Sequence, residues 1–371
     1  MSENTKKIAV LTSGGDCSGL NAVTRAVVHR AILTYGWEVY GIMDGTKGFM
    51  DRPLRYRRLT VADVDSNLLR QGGTFLGTVN HGDPFAFPMQ DGSKKDRSNE
   101  VIEGYKQLGL SAMICAGGDG SLAILRKLAQ QGGLNLVGVP KTIDNDLGAT
   151  ENSIGYDTAL QVATEALDRL QPTAASHHRV MILEVMGRDA GHIALASGIA
   201  GGADVILIPE IPYSMASIKQ KLQELRQGGR NFALVIVAEA VKTENNEPLM
   251  KNMHGGQVRY GGIGQYLATR ISEEVGAETR VTVLGHVQRG GQPSPLDRVL
   301  GSAFGVHAVD LVAEGKYDRM VAWQNRKVVD VPIKEAIASY RAVEKDGALI
   351  KTARGLGICL GDQAVKIAQI A

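Results

Sequence analysis

Short apolar runs rich in β-branched residues recur along this 371-residue chain and constrain its fold more than any other feature. "KIAVL", "WEVYGI", "AMICAG", "NLVGVP", "RVMILEVM", "DVILIPE", "FALVIVAE" and "RVTVLGH" run out into Gly, Pro or an acidic residue. Runs without polar alternation read as strands of a parallel sheet buried on both faces. Between most of them lie helix-length segments: Asn21 to Thr34, Ser121 to Gln131, Gly155 to Leu170, Ser214 to Arg226 and Gly262 to Val275. The alternation predicts α/β architecture built from βαβ units with right-handed crossovers. Ligands of such sheets bind beyond the carboxyl ends of the strands, so the turns there carry the information about function.

A single core stops growing at roughly 250–300 residues, so a chain of this length is expected to form two domains. Hydrophobic residues at 44% and charged residues at 22% exclude the disordered and fibrous classes. Lys and Arg number 41 against 39 Asp and Glu, which gives no global drive toward nucleic acid or an acidic membrane. Any anion site must therefore be local. No run approaches the roughly 20 apolar residues that span a bilayer. The polar start Met1 to Lys7 has no secretory pattern, and three scattered cysteines, Cys17, Cys115 and Cys359, fit neither a disulfide framework nor a zinc cluster. A cytoplasmic protein is expected. Residues 77–98 read as a long loop, and residues 240–262 as an exposed insertion.

Glycine is abundant and often paired, as in Gly14-Gly15 and Gly117-Gly118, which suggests backbone that approaches a ligand closely. "TSGGDCSGLN" follows the first strand and opens a helix, so its amides and the helix end suit a phosphate; a plain strand-turn-helix is the alternative. "CAGGDGS" repeats the device with Asp119 among glycines. A carboxylate there repels phosphates unless a divalent cation lies between, which makes Asp119 a magnesium candidate; a helix-capping aspartate is the alternative. "PKTIDND" places Asp144 and Asp146 behind Lys141 and Thr142. Asp144 reads as a base that accepts a hydroxyl proton, with Asp146 supporting it, and an acidic turn as the bland choice. Arg179, Arg188, Arg280 and Arg289 fall near strand ends, where a guanidinium grips a phosphate ester in two-pronged fashion. Each taken alone could be solvated surface.

Together "TSGGD", "GGDGS", "TIDND", "MGRDAG" and "LGHVQRGG", in this order from Lys7 to beyond Arg298, resemble the 6-phosphofructokinase family. GGDG alone also occurs in related NAD and lipid kinases, so the combination carries the assignment. The resemblance implies two Rossmann-like three-layer lobes of mostly parallel sheet, with the active site in the cleft between them. It divides the chain into a nucleotide lobe, 1–155 plus 288–338, and a fructose 6-phosphate lobe, 156–287 plus 339–371. By motif the base falls on Asp144, with Thr142 and Asp146 beside it and Arg188 stabilising the transferred phosphoryl. Magnesium falls on Asp119, and the nucleotide loops on Gly15, Gly118, Gly120 and Ser121. Fructose 6-phosphate is expected to meet Thr142, Met186, Gly187, Arg188, Glu239, His286 and Arg289. Arg179 and Arg280 match arginines that reach a neighbouring subunit's site, implying a homo-oligomer, a tetramer or a dimer.

Pyrophosphate-using members of the family carry Asp at the position of Gly120 and Lys at that of Lys141. Glycine leaves room for the α-phosphate of a nucleotide, so ATP is the expected donor. "SIGYDTAL" and the tail "LIKTARGLGICLGD" also look like ATP-using relatives of the pyrophosphate branch. Asn80 stands where short bacterial enzymes have an arginine on the transferring phosphate, and Lys141 is expected to supply that charge among the donor contacts. The effector site is partly kept: Arg25, Arg58 and Arg230 match basic positions, whereas His29 and Gln171 do not. The expected reaction is transfer from MgATP to the 1-hydroxyl of fructose 6-phosphate. The competing readings are a pyrophosphate-dependent transferase and a catalytically silent sugar-phosphate-binding regulator.

Overall fold

The computed structural model of the chain describes residues 5–80, 82–252 and 258–362. They form two compact units, the first within residues 5–143, 147–158 and 289–340 and the second within residues 144–146, 159–288 and 341–362.

The first unit is built on a seven-stranded sheet in the order Lys327–Pro332, Arg319–Gln324, Leu136–Pro140, Ala112–Gly117, Lys7–Thr12, Glu38–Ile42, Tyr56–Leu59. The five inner strands run parallel, and only the outermost strand on each side is antiparallel. One face buries Ala9, Leu11, Met113 and Cys115 against Val101, Ile102 and Tyr105 of the helix Ser98–Gln107 and Leu122, Leu125 and Leu128 of the helix Asp119–Gly132. The helices Leu20–Tyr35 and Pro295–Ala313 pack on each other and against the sheet. Ala112–Gly117 and Leu136–Pro140 are buried along their whole length, which is why their sequences show no polar alternation.

The second unit holds four parallel strands in the order Thr279–Val283, Val180–Val185, Ala233–Ala238, Val205–Leu207. The two central ones are wholly buried, whereas Thr279–Val283 lies at an edge and is partly exposed. The mixed α/β class with mostly parallel sheets is therefore as the apolar runs predict.

Two stretches differ from their sequence reading. Residues 77–98 are not an unstructured loop: they contain a 3-10 turn, Pro84–Ala86, and a small antiparallel ribbon, Phe87–Pro88 with Lys94–Lys95. Cations brace it, with Lys127 Nζ 3.8 Å from the ring centre of Phe85 and the Arg97 guanidinium 5.1 Å from that of Phe87. Within residues 240–262 the strands Met250–Asn252 and Val258–Tyr260 pair as an antiparallel hairpin. Cys17, Cys115 and Cys359 are free and buried. Among the described residues no helix is long and apolar enough to cross a membrane.

Candidate functional site

In the first unit Lys7–Thr12, Ala112–Gly117 and Leu136–Pro140 are sheet neighbours that run in one direction, so their carboxyl ends bring three turns together. The Ser13 N–H donates to the Ala116 carbonyl at 2.9 Å and the Lys141 N–H to the Gly117 carbonyl at 3.1 Å, continuing the ladder into the turns. Lys141 is only 5% exposed, and its ammonium donates to the Gly15 carbonyl at 2.6 Å. A charged bond this short fixes the course of the first glycine turn. Thr78 Oγ1 adds a second bond, to the Gly14 carbonyl at 2.6 Å. Arg289 lies on the other side: a Cβ built on Gly15 would stand 2.8 Å from Arg289 Nη1. Gly15, Lys141 and Arg289 thus share one corner, where two cations flank bare backbone.

Asp119 is the first residue of the helix Asp119–Gly132, and Gly118 is the cap residue, with no side-chain cap bond. Asp119 thus stands one position inside the cap residue. Its carboxylate sits at the positive end of the helix, where a negative charge is favoured. Gly118 and Ser121 flank it, and a Cβ built on Gly14 would lie 2.8 Å from Ser121 Oγ. Around Gly120 a Cβ would meet nothing within 4 Å, so the protein's own packing does not demand glycine there. Among the described residues no group of three or more His, Cys, Asp or Glu side chains could hold a metal. A lone carboxylate beside bare amides still fits magnesium, which takes one or two carboxylates and completes its shell with water and phosphate oxygens.

The second unit carries the acidic turn. Asn145 adopts a left-handed conformation, φ 52, which asparagine tolerates better than most residues, and this separates the two aspartates. Asp144 is half-buried, whereas Asp146 is 5% exposed. Arg188 Nη1 lies 3.5 Å from Asp146 Oδ2. Arg188 follows the strand Val180–Val185 in a tight turn in which the Ala190 N–H donates to the Gly187 carbonyl at 3.0 Å. A Cβ on Gly187 would stand 2.4 Å from the Ala190 carbonyl oxygen, so only glycine permits this turn. The Arg188 N–H donates to Glu239 Oε1 at 3.1 Å and the Met186 N–H to Gln288 Oε1 at 2.7 Å. Met186, Gly187, Arg188, Glu239 and the turn bearing His286 are thereby assembled from three strand ends, and Asp146 joins them through Arg188. Thr142 belongs to the first unit, where its carbonyl accepts the Ser153 hydroxyl at 2.7 Å.

Arg179 and Arg280 form a separate cluster. Both meet Glu278 Oε1, at 2.9 and 2.5 Å, and the hydrogen bond from Arg179 together with the charge of both arginines holds the Glu278 carboxyl below its usual range. Neither arginine is placed with Arg188 by these contacts.

Several residues stand out only in the structure. One is Gln288, between His286 and Arg289. The hairpin supplies Tyr260, whose hydroxyl donates to Asp189 Oδ1 at 2.7 Å, and Arg259, whose Nη1 is 3.2 Å from His286 Nε2. His192 Nε2 meets the Arg341 carbonyl at 2.8 Å, and the Arg341 N–H in turn donates to the Asp146 carbonyl at 2.8 Å. Burial lowers the affinity of His192 for a second proton, which suits a neutral ring that donates through Nε2. No sequence signal marks these pairs, because each joins segments far apart in the chain.

The chain is similar to proteins already known. The sequence model of the family described as "Phosphofructokinase" matches residues 7–312. A protein of Synechocystis sp., named ATP-dependent 6-phosphofructokinase 1, is 64% identical over 96% of this chain and 99% of its own length. One of the same name from Nostoc sp. is 65% identical over 96% and 99%. Among solved structures, phosphofructokinase from Pichia pastoris in the T-state superposes with a TM-score of 0.79 at 33% identity, covering 91% of this chain and 36% of that longer one. With the glycine turns and the acidic turn placed as described, the chain belongs to the phosphofructokinase family.

Proposed function

We propose that this protein is an ATP-dependent 6-phosphofructokinase, which transfers the terminal phosphoryl of MgATP to the 1-hydroxyl of D-fructose 6-phosphate and releases fructose 1,6-bisphosphate and ADP. The observation that carries the reading is the Arg188–Asp146 contact beside Asp144, which joins a phosphate-gripping cation to an acidic turn. The names of the relatives at 64% and 65% identity support ATP as the donor, and so does the open space at Gly120.

In this reading the first unit binds the donor through the backbone of Gly15, Gly118 and Gly120, through Ser121 and through the corner held by Lys141. Asp119 would hold magnesium, which when bound neutralises donor phosphate oxygens. The fructose 6-phosphate contacts of the second unit are Met186, Gly187, Arg188, Glu239 and His286; Thr142 and Arg289 are the candidate sugar-phosphate contacts of the first unit. Asp144 takes the proton of the 1-hydroxyl as the oxygen attacks; Asp146 keeps Arg188 in place, and Arg188 stabilises charge on the moving group. Positioning and electrostatics supply most of the acceleration in such transfers. Arg179 and Arg280 act toward a second copy of the chain in a dimer or tetramer. Three free buried thiols agree with a cytoplasmic setting.

The test is a steady-state assay of purified protein with fructose 6-phosphate and magnesium against ATP and pyrophosphate in separate reactions. Turnover with ATP is expected. Turnover with pyrophosphate alone would replace the donor, and sugar-phosphate binding without turnover would make the protein a regulator rather than an enzyme.

A further inference from the structure

Gln288 lies in the 3-10 turn Gly285–Arg289 and is 1% exposed. Its Oε1 accepts the Met186 N–H at 2.7 Å, while its Nε2 is buried without a hydrogen-bond partner among the described residues. The orientation of the amide follows from chemistry, since Met186 offers a donor and only the oxygen can accept it. The donor end makes no bond to a described residue, so the one hydrogen bond that the Gln288 side chain contributes is the one to Met186. What Gln288 does provide is a fixed location for the Met186 amide. That amide begins the turn Met186–Gly187–Arg188, whose backbone reaches a left-handed conformation at Arg188, φ 53. The amide of Arg188 is held in the same manner by Glu239. The turn is thus suspended from two side chains contributed by distant parts of the chain.

We propose that Gln288 is a positioning residue for fructose 6-phosphate: it sets the backbone from which Arg188 projects, without touching the sugar itself. The inference rests on the reading of Met186 to Arg188 as sugar-phosphate contacts. Gln288→Met keeps the length of the side chain and removes the acceptor together with the unpaired donor. Gln288→Asn keeps the amide but withdraws it by one methylene.

Fructose 6-phosphate binding is measured by calorimetry for the parent and both variants, with melting temperatures and the KM for ATP. In the folded variants the sugar-phosphate Kd is expected to rise about tenfold or more, the loss of roughly one hydrogen bond, with the KM for ATP within about twofold of the parent. A folded variant that binds fructose 6-phosphate as the parent does would overturn the proposal. Parallel loss for both substrates, or failure of both variants to fold, would do the same by making Gln288 structural. If the parent itself does not bind fructose 6-phosphate, the proposed function falls and takes this inference with it, an outcome distinct from the others.

Discussion

Arg188 Nη1 stands 3.5 Å from Asp146 Oδ2, with the aspartate side chain 4% exposed and the arginine side chain 51% exposed. The asymmetry decides what the contact does. A buried carboxylate needs its partner, whereas a half-exposed guanidinium can turn to water, so the pair fixes Arg188 more than it stabilises the fold. Asp146→Asn is therefore expected to leave the protein folded and to raise the KM for fructose 6-phosphate about tenfold, corresponding to roughly 1–2 kcal/mol for a partly solvated pair. Unchanged kinetics in both substrates would show that Arg188 holds its place without Asp146.

Asp144 is separated from Asp146 by the left-handed Asn145 and is the more accessible of the two acids. As the base, it should matter to turnover and little to binding. Asp144→Asn is expected to lower kcat by about 10²–10⁴-fold, the usual contribution of a positioned base, with the Kd for fructose 6-phosphate close to that of the parent. A kcat within a few-fold of the parent would move the proton to another group.

How far the sequence foretold these contacts depended on the range of the interaction. The buried strands were legible because Ala112–Gly117 or Ala233–Ala238 has no polar face to interrupt its apolar run. The edge strands Tyr56–Leu59 and Lys327–Pro332 were not, since solvent on one side admits Arg57, Arg58 and Asp330 and erases the pattern. The glycine and acidic turns stood out as candidates because their residues are contiguous. Gln288 with Met186, and His192 with Arg341, did not: they are 102 and 149 residues apart, and only the packed sheet brings them together.

Gly120 offers a test of donor choice that leaves folding intact. Beyond its chain neighbours and its own helix backbone, no atom lies within 4 Å of a Cβ built there, and the position is in the first turn of a helix, where an added carboxylate is favourable. Gly120→Asp should fold as well as the parent. Its charge near donor phosphates costs about 4 kcal/mol at 4 Å in a surface-like dielectric, which predicts a loss in kcat/KM for ATP of about 10³-fold. Strong ATP use by a folded variant would refute the idea that this position selects the donor.

Lys141 donates to the Gly15 carbonyl at 2.6 Å from a buried position, so its removal should loosen the donor turn selectively. Hydrogen bonds made by charged groups contribute roughly 1.5–3 kcal/mol. Lys141→Met keeps the alkyl stem, and the KM for ATP is expected to rise about 10- to 100-fold while that for fructose 6-phosphate changes little. An equal rise for both substrates would assign Lys141 to the transferred phosphoryl or to the fold as a whole.

Asp297 makes the stability of the first unit depend on pH. It is 1% exposed and accepts the N–H of Gly155 at 2.9 Å, the N–H of Thr158 at 2.9 Å and the Thr158 hydroxyl at 2.5 Å. Those bonds favour the charged form, yet burial outweighs them and pushes the carboxyl from its ordinary 3.8 up to about 6. Between these values the folded chain keeps a proton that the unfolded chain has lost, so the contribution of this group is fully present below about pH 4 and is lost as pH rises through 6. The gap of about two units sets a ceiling of about 3 kcal/mol. Other acids contribute with the opposite sign; Glu278, held below its usual range by Arg179, is one. The measurement is therefore a difference: urea unfolding of the parent and of Asp297→Asn at intervals from pH 4 to 8. Parent minus variant should fall from pH 4 to 6 and stay level above it. A difference that rises across that interval would mean that the three hydrogen bonds, not burial, govern Asp297.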